Sequence, residues 1–412
     1  MKLYLFNPEH DMALASFSPY YKAPTEIIRM RHDLSGLSAW YADLGDFVGV
    51  FSDDYIKVFG EQCVNGGVNP FGKLVSLDGF SSRLSDVSLA GVVPWGWDPA
   101  LALDLSKLGV DTCLLPDGAA LESVREVSGR QQCVRVLSDF KGMDGVCGEA
   151  CVCDSLVDVH AFLASHEDVI LKAPWSGSGR GLTRTSLETW TPNLEGWVAR
   201  VLRTQGSIMA EPIYNKVEDF AMEFQVSSSH EVCFVGYSLF ETDSHGNYKQ
   251  NVLTSNERIV ERLSQFVPVD RLEEVKSHLL VSLKKMINSD SQRKALADYV
   301  GYFGVDMMIC DEAAAGAAPI YVIHPCVEIN FRMNMGVVAR LFFDRYMDVH
   351  SIGNYVVEHY NADGVAIEHD RELRAAYPSR VEEGKIVEGY FPLTPVTATT
   401  RYQCYVLCEA LV

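Results

Sequence analysis

The sequence is short of positive charge. Its 412 residues contain 35 Lys and Arg against 55 Asp and Glu, which gives a formal net charge of −20. Proteins that bind DNA or RNA present a basic face to the phosphate backbone, so this balance argues against a nucleic-acid partner. An apolar content of 48% excludes disorder along the whole chain, and the length suits two or three domains.

Long apolar runs are also missing. The run from Met1 to Phe6 is too short for a signal peptide, and no stretch approaches the roughly 18 apolar residues of a membrane span. The 11 cysteines are an odd number in a chain without an export signal, which is typical of reduced thiols. Cys147, Cys151 and Cys153 lie close together but lack the C-x-x-C pairs of zinc sites. We therefore expect a cytoplasmic protein with no membrane partner.

The common nucleotide-binding motifs are absent as well. There is no Walker loop, no G-x-G-x-x-G fingerprint, and none of the H-R-D and D-F-G motifs of protein kinases. Instead, an apolar run that begins at Val169 ends in Lys172 and leads into a loop with Gly177, Gly179 and Gly181. Glycines let backbone N–H groups approach an anion, and a nearby lysine adds positive charge. This segment favours polyphosphate binding, although a flexible surface hairpin would have a similar sequence.

An acidic segment far downstream has the composition of a metal site. Glu328 and Asn330 are two apart on a predicted strand, so their side chains leave the same face, and Asp306 lies on the preceding predicted strand. Carboxylate and amide oxygens are the ligands that Mg²⁺ prefers. A polar edge strand on a solvated face is the alternative. The sequence predicts that these three residues bind Mg²⁺, with Mn²⁺ as a second option.

Two arginines could neutralise phosphate. Arg332 shares the face of Glu328 and Asn330, and its planar guanidinium suits a γ-phosphate or an acyl phosphate. Arg130 lies at a predicted helix start, where backbone dipoles favour anions, although a surface arginine is an equal alternative.

In their order along the chain, these motifs resemble those of ATP-grasp enzymes. The resemblance covers about residues 122–341 and rests on Lys172 with its glycine loop, on Glu211 with Pro212, on Asp306, and on Glu328 with Asn330 and Arg332. It implies an α/β fold in which a parallel-sheet domain (1–121) precedes a two-lobed ATP-grasp domain. The central lobe is expected at 122–207, and the C-terminal lobe with an extension at 208–412. Alternating strand and helix patterns before residue 125 predict the parallel sheet independently.

The resemblance also assigns the ATP-binding residues. The glycine loop residues Gly177, Ser178 and Gly179, together with Arg130 and Lys172, would contact phosphate. Glu211 and Ile213 would contact adenine from a hinge strand; Pro212 has no N–H, so a donor to the ring would have to come from Ile213. Asp219 would bind the ribose, with Glu218 as a competitor and an exposed turn acid as the alternative.

Several other residues could act on substrate. Lys249, in a polar hairpin, could contact phosphate or a substrate carboxylate as a catalytic residue together with Arg332, or it could be a solvated loop lysine. His10, Asp11, Trp95 and Trp97 follow predicted parallel strands, where ligands bind in open sheets, but capping and core packing explain them better.

The sequence therefore predicts an ADP-forming ligase that joins a small-molecule carboxylate to an amine or thiol through an acyl phosphate. A grasp-type small-molecule kinase and a non-catalytic ATP-binding regulatory protein remain alternatives. The oligomeric state stays open, a homodimer included. Two local predictions are a strand from Asp111 to Leu115 and a helix from Ala295 to Phe303.

Overall fold

The computed structural model describes residues 1–80, 88–177, 181–229, 231–242, 248–288 and 299–411. Within these residues the strands form three sheets. A small cleft beside two of them is lined by residues 174–176, which follow a strand of one sheet, and by residues 328–332, at the end of a strand of the other. The remaining sheet lies in the N-terminal part of the chain.

The N-terminal sheet is parallel, as predicted, and has the strand order β3-β2-β1-β4. Its strands are β1 (Lys2–Leu5), β2 (Phe47–Val50), β3 (Lys73–Ser76) and β4 (Gly91–Pro94). The helices around it are α1 (His10–Ser16), α2 (Thr25–Asp33), α3 (Asp53–Gly66) and α4 (Pro99–Lys107), and a 3₁₀ segment spans Ser35–Trp40. The side chain of Asp98 accepts hydrogen bonds from the N–H groups of Ala100 and Leu101, and this cap fixes where α4 begins.

One predicted strand of this region is wrong. Thr112–Leu114 forms a 3₁₀ turn in place of a strand. The Asp111 carboxylate accepts a hydrogen bond from the N–H of Cys113, two residues on. This local bond stabilises a turn and competes with strand pairing.

The second sheet is small and has the order β5-β8-β6-β7. Its strands are β5 (Cys151–Cys153), β6 (Val169–Lys172), β7 (Leu182–Thr185) and β8 (Ile208–Pro212). The helices that precede it or pack on it are α5 (Gly118–Val127), α6 (Gln131–Asp139), α7 (Leu156–Ser165) and α8 (Pro192–Gln205). Because β8 pairs with both β5 and β6, the predicted hinge strand belongs to this sheet. The three-domain division at 121 and 207 stays a prediction.

The third sheet contains nine strands within the described residues, in the order β13-β12-β9-β10-β11-β14-β17-β16-β15. Their bounds are β9 (Lys216–Val226), β10 (Val232–Thr242), β11 (Tyr248–Leu253), β12 (Gly301–Asp311), β13 (Tyr321–Asn330), β14 (Ser351–His359), β15 (Arg380–Glu382), β16 (Lys385–Pro392) and β17 (Tyr402–Ala410). Its helices are α9 (Asn256–Leu263), α10 (Val269–Asn288), α11 (Met335–Tyr346) and α12 (Val365–Ala376). The predicted helix from Ala295 to Phe303 is wrong where it can be compared, since β12 already begins at Gly301; its residues up to 298 lie outside the described residues.

The C-terminal extension, which begins near residue 349, adds the four strands β14 to β17 to this sheet. It packs against the N-terminal domain. Trp40 from the N-terminal domain and Tyr355 from β14 are buried in one apolar cluster, and the indole N–H of Trp40 donates to the carbonyl of Leu393 at 2.7 Å. Among the described residues, no helix has both the length and the apolar character needed to cross a membrane.

Candidate functional site

The three predicted metal ligands come together on two paired strands. Asp306 lies directly opposite Glu328, and Gly304 lies directly opposite Asn330, in the antiparallel pair β12 and β13. Residues two apart on a strand share a face, and so do directly paired residues on neighbouring strands, so all three oxygen-bearing side chains lie on one face of the sheet. The amide of Asn330 donates to the Asp306 carboxylate at 3.0 Å.

A third carboxyl group, which the sequence reasoning missed, lies beside them. Glu223, on β9, is opposite Gly304, and it is only 1% exposed. A Cβ atom at Gly304 would lie 2.4 Å from one Glu223 oxygen, and one at Gly336 would lie 2.1 Å from the other. The two glycines therefore make room for this carboxyl, which also accepts a hydrogen bond from Asn334 at 3.2 Å.

Burial and mutual repulsion favour the protonated forms of these acids. Burial, followed by the charge of Glu328, raises the pKa of Asp306 to about 7. Burial, followed by the charge of Asp306, raises the pKa of Glu223 to about 8. A divalent cation at this face would replace the protons and remove the repulsion.

The donor set fits Mg²⁺. Asp306, Glu328 and Asn330 offer two carboxylates and an amide, and in the described parts of the chain no three acids, histidines or cysteines cluster closely enough to hold a metal by themselves. Mg²⁺ commonly takes one or two carboxylates and completes its shell with phosphate oxygens and water. The arrangement suits a metal that arrives with a nucleotide.

Lys172 lies in a buried ion pair of the small sheet. Its ammonium group donates to Glu211 at 2.5 Å, and both side chains are 6% exposed. Strand pairing explains the contact, since β6 and β8 are neighbours in the small sheet. The Lys172 ammonium also lies 3.5 Å from the carbonyl of Val327, so it reaches the strand that carries Glu328.

Arg130 connects the glycine loop to β13. Its guanidinium donates to the carbonyl of Ala173 and to the hydroxyl of Ser176, both at 2.6 Å, and to Glu328 at 2.8 Å. The side chain is 4% exposed and precedes α6 directly. Arg130 is therefore not a surface arginine, and its role in phosphate binding stays a prediction.

Arg332 is paired with a residue of the N-terminal domain. Its Nε and one terminal nitrogen donate to the two oxygens of Asp11 at 3.0 and 2.8 Å. Although burial opposes ionisation, the charge of Arg332 lowers the pKa of Asp11 to about 2. Asp11 thus contacts the residue predicted to bind phosphate.

Of the glycine loop, the described residues extend to Gly177 and resume at Gly181. The N–H of Ala173 donates to the carbonyl of Gly181 at 2.9 Å, which closes the base of the loop. Gly181 has a φ of +72° and lies against Ser176, a conformation that suits glycine. Ser178 and Gly179 lie outside the described residues.

Three predicted site residues contact other parts of the molecule. The N–H of Ile213 donates to the carbonyl of Asp168 at 3.0 Å, so in this conformation the expected donor to the adenine ring is already used. Asp219 is bound to Lys216, and Lys249 is exposed and lies 3.7 Å from Glu241. Their roles in nucleotide binding or catalysis stay predictions, and Lys249 makes no described contact with the ion pairs of the cleft.

The aromatic and histidine residues near the N-terminal sheet are largely buried. Trp95 packs edge-on against Phe6 with 4.9 Å between ring centroids, as expected for a core residue. His10 is 1% exposed, and burial lowers its pKa to about 4. Their burial favours core packing over substrate binding for both Trp95 and His10.

Comparison of the architecture with solved structures identifies the fold as that of ATP-grasp enzymes. No protein-family model matches the chain, and no curated protein does. The biotin carboxylase domain of Hydrogenobacter thermophilus 2-oxoglutarate carboxylase, solved with MgADP and bicarbonate, matches with a TM-score of 0.53 at 9% identity over 100% of this chain and 86% of that chain. Rhizobium etli pyruvate carboxylase matches with a TM-score of 0.50 at 12% identity over 90% of this chain and 36% of that chain. At these identities the comparison establishes the fold, and the predicted α/β fold class is confirmed.

Proposed function

We propose that the protein is an ATP-dependent, ADP-forming ligase that joins a carboxylate to an amine or thiol. ATP transfers its γ-phosphoryl group to the carboxylate, which gives an acyl phosphate and ADP. The nucleophile then attacks the acyl carbon, and phosphate leaves. The similar biotin carboxylase domain was solved with MgADP and bicarbonate, which supports this class of chemistry.

One observation supports the proposal most strongly: the fold brings the predicted metal ligands and the predicted phosphate-binding cations into one site. Asp306 and Glu328 are in register on neighbouring strands, and Arg130 connects Glu328 to the loop that follows Lys172. Magnesium with a triphosphate requires oxygen ligands at one end and cations at the other. This cleft supplies both.

Each residue has a distinct role in the proposed reaction. Asp306, Glu328 and Asn330 would hold Mg²⁺, which neutralises charge on the phosphates. Lys172, Arg130 and Arg332 would neutralise the remaining phosphate charge and hold the γ-phosphoryl group near the carboxylate. Gly177 with Ser178 and Gly179 would offer backbone N–H groups to the phosphates. No covalent bond to the protein is needed, because positioning and charge stabilisation account for this type of catalysis.

The N-terminal domain is our proposed site for the acceptor. A cavity of about 370 Å³ lies between its sheet and α4, lined by the apolar side chains of Leu5, Phe51 and Leu101 and by the polar groups of Asn7 and Arg31. Ligand pockets commonly measure about 300–1,000 Å³ and combine apolar walls with a few polar groups. In open parallel sheets, such pockets form near the carboxyl ends of the strands.

A product assay separates the proposal from its rivals. With pools of small carboxylates and amines, a ligase releases phosphate and ADP only when both substrates are present. A small-molecule kinase forms ADP without free phosphate, and a non-catalytic binding protein forms neither product. ADP formation without phosphate release, or no turnover with any pool despite tight MgATP binding, would contradict the ligase proposal.

A further inference from the structure

The contact between Asp11 and Arg332 has the geometry of a bound substrate anion. Two parallel N–H···O bonds of 3.0 and 2.8 Å join the guanidinium to both carboxylate oxygens. This fork is the arrangement that arginine adopts with a planar or tetrahedral oxyanion. The pair links α1 of the N-terminal domain to the end of β13, and its side chains are 19% and 15% exposed.

The surrounding space leaves no room for a second anion. A Cβ atom at Gly177 would lie 2.7 Å from the Asp11 carboxylate, so the backbone of the glycine loop touches it. The cavity that Asp11 shares with Ser176, Glu328 and Arg332 has a volume of about 10 Å³. That is space for about one water molecule. A phosphate group can reach Arg332 only if Asp11 moves away.

We propose that Asp11 is an internal competitor for the oxyanion site on Arg332. Its carboxylate holds the guanidinium in the ligand-free protein and gives way when an oxyanion of the reaction binds. The inference rests on the proposed function, because it assumes that Arg332 faces the phosphate end of a nucleotide. A phosphate of the nucleotide and a carboxylate share the required chemistry, and the experiment below tests them separately.

Replacing Asp11 by Asn tests the competition, because the melting temperature should fall while the affinity for MgATP should rise. Removing the carboxylate leaves the charge of Arg332 unpaired, so the ligand-free protein should melt at a lower temperature. The competitor is also gone, so calorimetry should show MgATP binding at least fivefold more tightly than to the wild type. MgADP, which lacks the γ-phosphate, should gain less. A purely structural role for Asp11 would lower the melting temperature and leave the affinity unchanged or weaker.

Glu9→Gln is the matched control in the same segment. Glu9 is two residues earlier and binds Arg31 at 2.6 Å, in an ion pair that does not include Arg332. Loss of this ion pair should lower the melting temperature and leave the affinity for MgATP unchanged. A tightening equal to that of Asp11→Asn would assign the effect to the flexibility of the segment and overturn the inference.

Asp11→Ala with added formate tests the inference in a second way, and its main readout, the melting temperature, requires no ATP. Formate should refill the fork of Arg332, raise the melting temperature of the variant and weaken its MgATP binding, whereas equal chloride and the wild type should show neither effect. Inorganic phosphate in place of formate tests the second source of oxyanion. Formate present during purification also covers the case in which the variants fold poorly without it.

The outcomes separate the inference from the proposed function. If wild-type protein gives no heat with MgATP, the proposed function fails, and formate stabilisation of Asp11→Ala alone decides whether Arg332 is an oxyanion site that Asp11 fills. If the wild type binds MgATP but Asp11→Asn binds it equally or less tightly, the competition does not exist.

Discussion

Charged groups at the two ends of the site are neutralised differently: the loop end contains Lys172 and Arg130 near the glycine loop, and the strand end contains Asp306 and Glu223 on the large sheet. At the loop end, each of the three predicted phosphate cations is bound to a carboxylate: Lys172 to Glu211, Arg130 to Glu328, and Arg332 to Asp11. At the strand end, the hydrogen bonds described for Asp306 and Glu223 come from the amides of Asn330 and Asn334. At the loop end each cation has a carboxylate partner, whereas at the strand end burial raises the pKa of both acids and so favours their protonated forms.

This difference indicates what changes when a metal nucleotide binds. Phosphate would replace carboxylates as the partner of the cations, and Mg²⁺ would replace protons on the acids. Glu328 takes part in both exchanges, because it is the partner of Arg130 and a predicted metal ligand. Metal and nucleotide binding should therefore be thermodynamically coupled.

The largest expected effect comes from Lys172→Met. The variant has no positive charge at this buried position, so the affinity for MgATP should fall at least about 100-fold, or about 2.7 kcal/mol. The variant also leaves Glu211 unpaired, which commonly costs about 3–5 kcal/mol of stability. The double variant Lys172→Met/Glu211→Leu should regain its melting temperature and still fail to bind MgATP in calorimetry.

The exposed Lys285 is the control for that experiment. It lies 3.7 Å from Asp139 on the surface, and Lys285→Met should leave MgATP affinity unchanged. If the double variant regains both stability and nucleotide binding, Lys172 is a structural residue and the loop end is wrongly assigned.

Glu328→Gln should have the next largest effect. The amide keeps an oxygen for Arg130 but loses the negative charge that attracts Mg²⁺, so MgATP affinity should fall about 10-fold, or about 1.4 kcal/mol, and its dependence on magnesium should weaken. The ligand-free protein should stay folded, with a lower melting temperature because the buried Arg130 loses its charged partner. Glu312→Gln, an exposed acid just after β12, should change neither property. A Glu328→Gln protein that unfolds without nucleotide would indicate a structural role.

The strand end should also give the protein a characteristic pH dependence. The pKa of Glu223 is raised to about 8 from an ordinary value of 4.5, so the folded state holds this proton more tightly than the unfolded state does. Its contribution to stability is fully present below about pH 4 and is lost as pH rises through 8. We expect the ligand-free melting temperature to fall between about pH 5 and 8. In Glu223→Gln, which cannot lose a proton, that fall should be smaller; an identical pH profile would show that Glu223 ionises normally.

Lys249→Ala should give the smallest effect. The side chain is 60% exposed and lies 3.7 Å from Glu241, and surface ion pairs of this kind contribute about 0–1 kcal/mol. MgATP affinity should change less than about twofold. A marked loss of turnover with unchanged nucleotide affinity would restore the predicted catalytic role of Lys249.

The sequence predicts the elements of this site better than their partners. Lys172, Asp306, Glu328 and Asn330 could be found because strand periodicity and glycine spacing are local signals. Asp11 and Arg332 are 321 residues apart, and no local pattern indicates such a contact. Only the three-dimensional structure therefore shows which acid pairs with which cation.

Glu223 shows why some site residues escape a sequence reading. Its strand is read as apolar because Phe220, Met222 and Phe224 are core residues, and the single acid between them resembles an ordinary solvent-facing position. A signal was present in the alternation, which places Glu223 on the same face as Ala221, opposite Asp306. Likewise, the strands of the C-terminal extension have clear periodicity only in part, and their place in the large sheet depends on long-range pairing.

Calorimetric titration of MgATP into the wild-type protein, repeated as a melting experiment, tests the central claim most directly. The account predicts a saturable heat that requires both magnesium and nucleotide, and a stabilisation of roughly 2.7 kcal/mol at about 100 times Kd. Neither a binding heat nor a shift in melting temperature at millimolar MgATP would contradict the assignment of this cleft as an ATP site.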